Sequence, residues 1–375
     1  VLSDTSIDAR PPGAPSGAMT QAAKRMPLID ALKAVAALLV LLNHFSSYGP
    51  LAADLRAALP SLFDWFYEYG RMAVQIFLVT AGFLAARALS PRGDALAASP
   101  LPLIGKRYLR LVIPFLAALG LAIAAAAIAG HWMDDEAIPD RATFAQWLAH
   151  ALLLHGLLGV EALSAGVWYI AIDFQLFALM ALLLWSGRDR RLAPLLVLAT
   201  AVASLFWFNR DASWDNWALY FFGSYGLGAA AWWAADRRRL AAWLGVIATV
   251  VIAALIVDFR LRILLALAVA LLLGFAQRSG FLARWPDARP QAFLGKISYS
   301  LFLVHFPVLL LANGLYAQSG LDSPFSALSG LSLAIGASLA VATLFHRWIE
   351  SPEASRRITD ALGWLLGQGL ATLRR

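Results

Sequence analysis

Ten predominantly apolar stretches, beginning near residues 28, 72, 111, 165, 192, 218, 240, 263, 295 and 326, run through this chain. About 20 apolar residues at 1.5 Å rise cross a hydrocarbon core of about 30 Å, and a lone segment there satisfies its own backbone only as a helix. With 61% hydrophobic and 14% charged residues over 375 positions, the composition lies outside the soluble range. The expected fold is all-α: a polytopic bundle of about ten transmembrane helices, with Ile263 to Ala276 the shortest stretch. A soluble multidomain protein is excluded.

Orientation follows from the loop cations. With the N-terminus inside, the inner segments hold 23 of the 30 Lys and Arg residues and the outer loops hold six, with Lys33 within the first span. Both termini are therefore expected in the cytoplasm. Acidic residues lean outward, so the net charge of +7 is mainly an orientation signal. The basic residues are scattered over short loops instead of clustered on a folded domain, so no nucleic-acid partner is expected.

The chain has no cysteine, which removes disulfides, thiolate metal sites and a cysteine acyl-enzyme. No phosphate-binding loop, HExxH or GxSxG motif is present, and no metal is expected. Residues 1–26 carry Pro, Gly, Ala and Ser without an apolar run and are read as a disordered tail, not a cleaved signal peptide, with Met19 or Met26 as candidate starts. The longest outer pieces are Tyr48 to Arg71 and His131 to Ser164; within the second, Trp147 to Val160 is apolar but too short to cross, and is expected to lie along or dip into the outer face.

Against this background the ionisable residues inside spans stand out. His44 lies near the outer end of the first span, where an ionisable group is costly and functional by default. Lys33 is eleven positions earlier and about 20° away around the helix, and Asp30 is about 40° away, so one face of this span is polar along its length. Arg107 and Arg110 share a helix face at i and i+3. They suit a phosphate-bearing ligand, but since arginines flank most inner ends the residues alone favour plain anchoring. Asp173, about 12 Å below the outer end of the fourth span, is either an interhelical hydrogen-bond partner or a group that orients His44. His305 is near mid-membrane with Ser298 on its face, and Pro307 two residues on points to a structural hydrogen bond with a freed carbonyl. The other histidines sit in loops or at a boundary and carry a weak signal.

Six pieces of the chain, in order, resemble the acyltransferase-3 family of integral membrane O-acyltransferases. They are Leu28 to Phe45 (LIDALKAVAALLVLLNHF), Val74 to Leu84 (VQIFLVTAGFL), Arg107 to Pro114 (RYLRLVIP), Val167 to Phe177 (VWYIAIDFQLF), Ile297 to Pro307 (ISYSLFLVHFP) and Trp348 to Pro352 (WIESP). The resemblance implies an acyltransferase-3-like membrane domain over residues 27–355, flanked by cytoplasmic tails 1–26 and 356–375. It implies His44 as catalytic base, Arg107 and Arg110 with Lys33 as acyl-CoA-binding groups, and Asp173 at the carboxylate position of the fourth span. Trp168, Tyr169, Ser298, His305 and Asp30 are further candidates. Three departures stand out: Lys33 where the family usually has Arg, Asp173 where Glu is commoner, and Ala81 where Ser is common.

The implied reaction is transfer of an acyl group, acetyl foremost, from cytoplasmic acyl-CoA to a hydroxyl of an extracytoplasmic saccharide or glycoconjugate, by a multi-pass protein of the bacterial inner membrane. Membrane lipid and the acceptor are the expected partners; the sequence does not fix the oligomeric state. The alternative is a proton-coupled transporter or flippase of a polysaccharide precursor, with Asp30, Lys33, His44, Asp173 and His305 as its pathway. That class predicts repeated halves with interrupted helices, and neither is visible.

Overall fold

A computed structural model describes residues 25–187, 192–236, 238–354, 356–358 and 360. The expected tails, 1–26 and 356–375, therefore fall largely outside the described residues. The elements are α1 (Pro27–Phe45), α2 (Gly49–Ala58), α3 (Pro60–Tyr69), α4 (Val74–Leu89), α5 (Leu101–Ala129), α6 (Phe144–Ala151) and α7 (Val167–Ser186). They continue with α8 (Leu192–Phe206), α9 (Ala218–Ala235), α10 (Leu240–Val257), α11 (Leu261–Ser279), α12 (Phe281–Arg284), α13 (Arg289–Ser319) and α14 (Pro324–Phe345), closed by a π turn at His346–Glu350. There is no strand among the described residues.

Nine helical segments among the described residues are long and apolar enough to cross a membrane, and the chain is an all-α polytopic bundle. The stretch expected near residue 263 is a full helix of 19 residues. The tenth stretch forms α9, which is not among the nine because three glycines, two tyrosines and two tryptophans dilute its apolar content. All but two of its residues are buried, since α4, α8 and α11 enclose it and it shows lipid little surface.

The helices assemble in two groups. One is built on α13, which packs against α1, α5 and α14; the other is built on α9. Helix α7 touches α5, α8 and α9, and α1 meets α4, so the two groups join along α1 and α7. Prolines start several helices, where their missing N–H has no intrahelical partner to lose: Pro27 opens α1 and Pro324 opens α14, whose cap is completed by reciprocal Ser323 and Ser326 bonds.

The stretch Trp147 to Val160 dips. Tyr108, two turns into α5, donates its hydroxyl to the Ala151 carbonyl at 2.7 Å, while α5 continues outward to Ala129. Only Phe144–Ala151 of this piece is helical. His150 satisfies its irregular backbone, with Nδ1 2.8 Å from the Gln146 carbonyl and Nε2 accepting from the Leu163 N–H at 3.2 Å. Non-helical chain at such depth requires partners of this kind.

Helices α4 and α9 make the most extensive contact in the bundle, and two glycines permit it. A Cβ on Gly82 would collide with the Tyr225 carbonyl, and one on Gly228 with the Val79 carbonyl. Small residues that let backbones approach are the usual adhesive between helices in lipid. Gly228→Ala should therefore lower stability by about 1–3 kcal/mol, read as the unfolding midpoint in detergent. Gly336→Ala, which meets no atom within 4 Å, should be close to neutral.

Candidate functional site

The last turn of α1 and the middle of α13 bring His44 and His305 together, 261 residues apart in sequence. His44 Nδ1 lies 2.7 Å from His305 Nε2, with ring centroids 4.9 Å apart. His305 is 1% exposed, whereas His44 is half-buried. The protons can be placed by elimination. His305 Nδ1 faces the Leu301 carbonyl at 3.0 Å, and a carbonyl only accepts, so Nδ1 carries hydrogen. In a neutral ring Nε2 then holds a lone pair and accepts from His44 Nδ1–H. Neutral His44 is left with its lone pair on Nε2, the atom a general base uses. His305 thus makes the structural carbonyl hydrogen bond expected of it and also meets His44. Its carbonyl partner is Leu301, one helical turn back, and not the Leu303 carbonyl that Pro307 leaves without its helical donor.

The space beside this pair is shaped by the start of α7. Gly166 precedes that helix with φ +82°, and a side chain there would press on the Phe302 ring at 3.2 Å and approach His44 Cε1 at 3.8 Å. Glycine is required on both counts. Tyr48 and Phe306 meet the His44 ring edge-on at centroid distances of 5.6 and 6.3 Å.

Asp173 does not orient His44. Its carboxylate accepts from Arg107 Nη2 at 2.5 Å, about two turns into α7 from Gly166. Asp173 is 4% exposed, so an unpaired charge there would be costly, and the guanidinium supplies the compensation. Arg107 also lies over the Phe177 ring at 5.4 Å. The i, i+3 arginines therefore differ: Arg107 is held by a carboxylate, while Arg110 is exposed and makes no ion pair among the described residues.

Lys33 shares an electrostatic neighbourhood with Arg107 and Arg110, offset by Asp30 and Glu350. It stands about 16 Å below His44 along α1. Asp30 is in the first turn of α1, where Arg25 Nε binds it at 3.0 Å. Tyr169 is buried, with its ring against Phe77 and Phe302. Trp168 is 38% exposed and stacks on Phe221. Ser298 donates to the Gly295 carbonyl at 3.0 Å and is not bonded to His305.

One group was missed. Glu350, in the π turn, accepts from Ser300 Oγ and from His346 Nδ1, the latter at 3.0 Å. Its signal lay within the Trp348 to Pro352 piece, from which no side chain was singled out.

A helical membrane bundle with an internally hydrogen-bonded imidazole pair near one end of its spans and a cluster of cations toward the other belongs among multi-pass proteins that carry polar chemistry inside the bilayer. The acyltransferase domain model of the acyltransferase-3 type matches residues 27–347. The chain belongs to that family and is a multi-pass membrane acyltransferase. No curated protein and no solved structure matches it.

The two arginines should separate in experiment. Arg107→Ala strands the Asp173 carboxylate and should cost about 3 kcal/mol of stability, whereas Arg110→Ala should stay within about 0.5 kcal/mol. Unfolding midpoints in detergent test this, and Arg107→Met with Asp173→Leu should recover most of the loss.

Proposed function

We propose that the protein transfers an acyl group, acetyl foremost, from cytoplasmic acyl-CoA to a hydroxyl of an extracytoplasmic saccharide or glycoconjugate. The observation that carries this reading is the His44–His305 pair, which leaves one basic nitrogen of fixed tautomer in a half-buried position. The orientation rests on the cation count, with both termini cytoplasmic, and the family together with the apolar helices supports placement in the bacterial inner membrane.

On this reading Arg110 and Lys33 receive the phosphates of the donor, and Arg107 holds the local frame through Asp173. The pantetheine arm runs outward along α1 and brings the thioester to His44. The acceptor hydroxyl gives its proton to His44 Nε2 as its oxygen attacks the thioester carbon. The C–S bond then breaks, and the same proton passes to the leaving thiolate. His44 needs no permanent charge change over the cycle. Holding donor and acceptor in line supplies a large part of the acceleration, because effective molarities for well-oriented groups reach roughly 10⁵ M or more. The start of α7 adjoins this space, and the first N–H groups of a helix have no intrahelical partner, which favours charge building on the thioester oxygen.

Two measurements test the assignment. Calorimetry with acetyl-CoA should give saturable binding to the wild type, weakened about tenfold or more in Arg110→Ala; well-folded protein that binds no acyl-CoA would return weight to a transporter or flippase. His44→Ala should abolish acyl transfer with membrane insertion intact. His305→Phe, which cannot accept from Nδ1–H, should lower kcat roughly 100-fold with little change in KM, in the range typical of a disturbed base. His305→Asn, which can accept, should recover part of it.

A further inference from the structure

One cavity is separate from the imidazole pair and from Arg107 and Arg110. It has a volume of about 640 Å³ and lies between the first turns of α13 and the π turn that closes α14. This is the basic end of the bundle, where Gln291 donates to the Pro27 carbonyl and Arg25 binds Asp287. Three permanent cations line it, Lys296, Arg347 and Arg357, against one carboxylate, Glu353. None of the three makes an ion pair among the described residues. The remaining wall is largely apolar, and its two aromatic rings, Phe293 and Trp348, are 42% and 63% exposed.

We propose that this cavity binds the headgroup of an anionic phospholipid, with the phosphate among Lys296, Arg347 and Arg357 and the chains leaving past Phe293 and Trp348. Charge complementarity gives the sign of the ligand, because uncompensated cations around a concave site attract an anion. The position gives its class. Basic pockets between spans on the cytoplasmic side suit lipid phosphates, and exposed aromatic rings sit at the headgroup level. A soluble phosphate would gain nothing from the exposed apolar rim.

The site also has a route to the inner cluster. His346 lines the cavity and donates Nδ1–H to Glu350, whose carboxylate also accepts from Ser300 and lies in the electrostatic neighbourhood of Lys33. Its other nitrogen, Nε2, is buried without a partner among the described residues. Lipid seated in the cavity therefore rests against the hydrogen-bonded unit that holds Glu350. π turns of this kind are frequent at functional positions.

Trp348 provides the readout. Wild type and Trp348→Phe are placed in phosphatidylcholine nanodiscs containing either brominated phosphatidylglycerol or brominated phosphatidylcholine at equal mole fraction. Quenching of the Trp348 contribution, taken as the difference between the two proteins, should be severalfold stronger with the anionic lipid. Lys296→Ala with Arg347→Ala should abolish that preference; Arg357→Gln, which should weaken it, serves where the double variant does not fold. Equal quenching by the two lipids would overturn the proposal. So would loss of the preference on adding adenosine 3′,5′-bisphosphate, which would assign the cavity to a soluble phosphate instead of a lipid.

Discussion

A polar side chain surrounded by hydrocarbon has no water to turn to, so it must find its partner within the protein. The interior of this bundle is organised by that constraint. Several polar groups between the basic end and His44 are tied across elements: Arg107 of α5 to Asp173 of α7, Ser300 of α13 to Glu350, and His305 to both its own helix and α1. These bonds set the rotation of each helix about its axis more tightly than apolar contact can, because a rotated Leu still meets Leu or lipid. The small-residue seam between α4 and α9 works differently, by excluding side chains, and fixes distance instead of rotation.

The number and placement of the helices were legible because hydropathy acts segment by segment, and a span reveals itself without reference to its neighbours. Helix α9 strained that logic: its composition is diluted because other helices, and not lipid, surround it. The candidate residues were also legible, since the cost of an ionisable group in hydrocarbon applies to His44, Asp173 and His305 one at a time. What the sequence withheld was the pairing. Helical periodicity says which residues share a face, but not which helix that face meets. Asp173 was therefore weighed as a partner of His44 and proved to belong to Arg107, 66 residues away. The same blindness hid Glu350, whose importance rests on Ser300 and His346 reaching it from different elements.

The arrangement divides labour along the bundle. At the basic end, Arg110 is exposed and makes no ion pair among the described residues, while Arg107 is committed to holding two helices together. Toward the other end, the imidazole pair has no carboxylate bonded to it among the described residues, and its proton order is set by the Leu301 carbonyl. A backbone acceptor carries no net charge, so it directs the tautomer without drawing a second proton onto the pair. The segment around His150 gives up regular helix and recovers its hydrogen bonds through a side chain.

The lengths of α5 and α13, 29 and 31 residues, have a consequence for where the chemistry meets water. At 1.5 Å per residue they extend over roughly 44 and 46 Å, well beyond a hydrocarbon core of about 30 Å, so they must tilt or project. His305 lies about 24 Å from the start of α13, at the middle of that helix and beside the last turn of α1. The depth of the imidazole pair, held at the last turn of the 19-residue α1, is then a matter of hydrophobic mismatch: a thin bilayer leaves it near the polar boundary, and a thick one draws it into the chains.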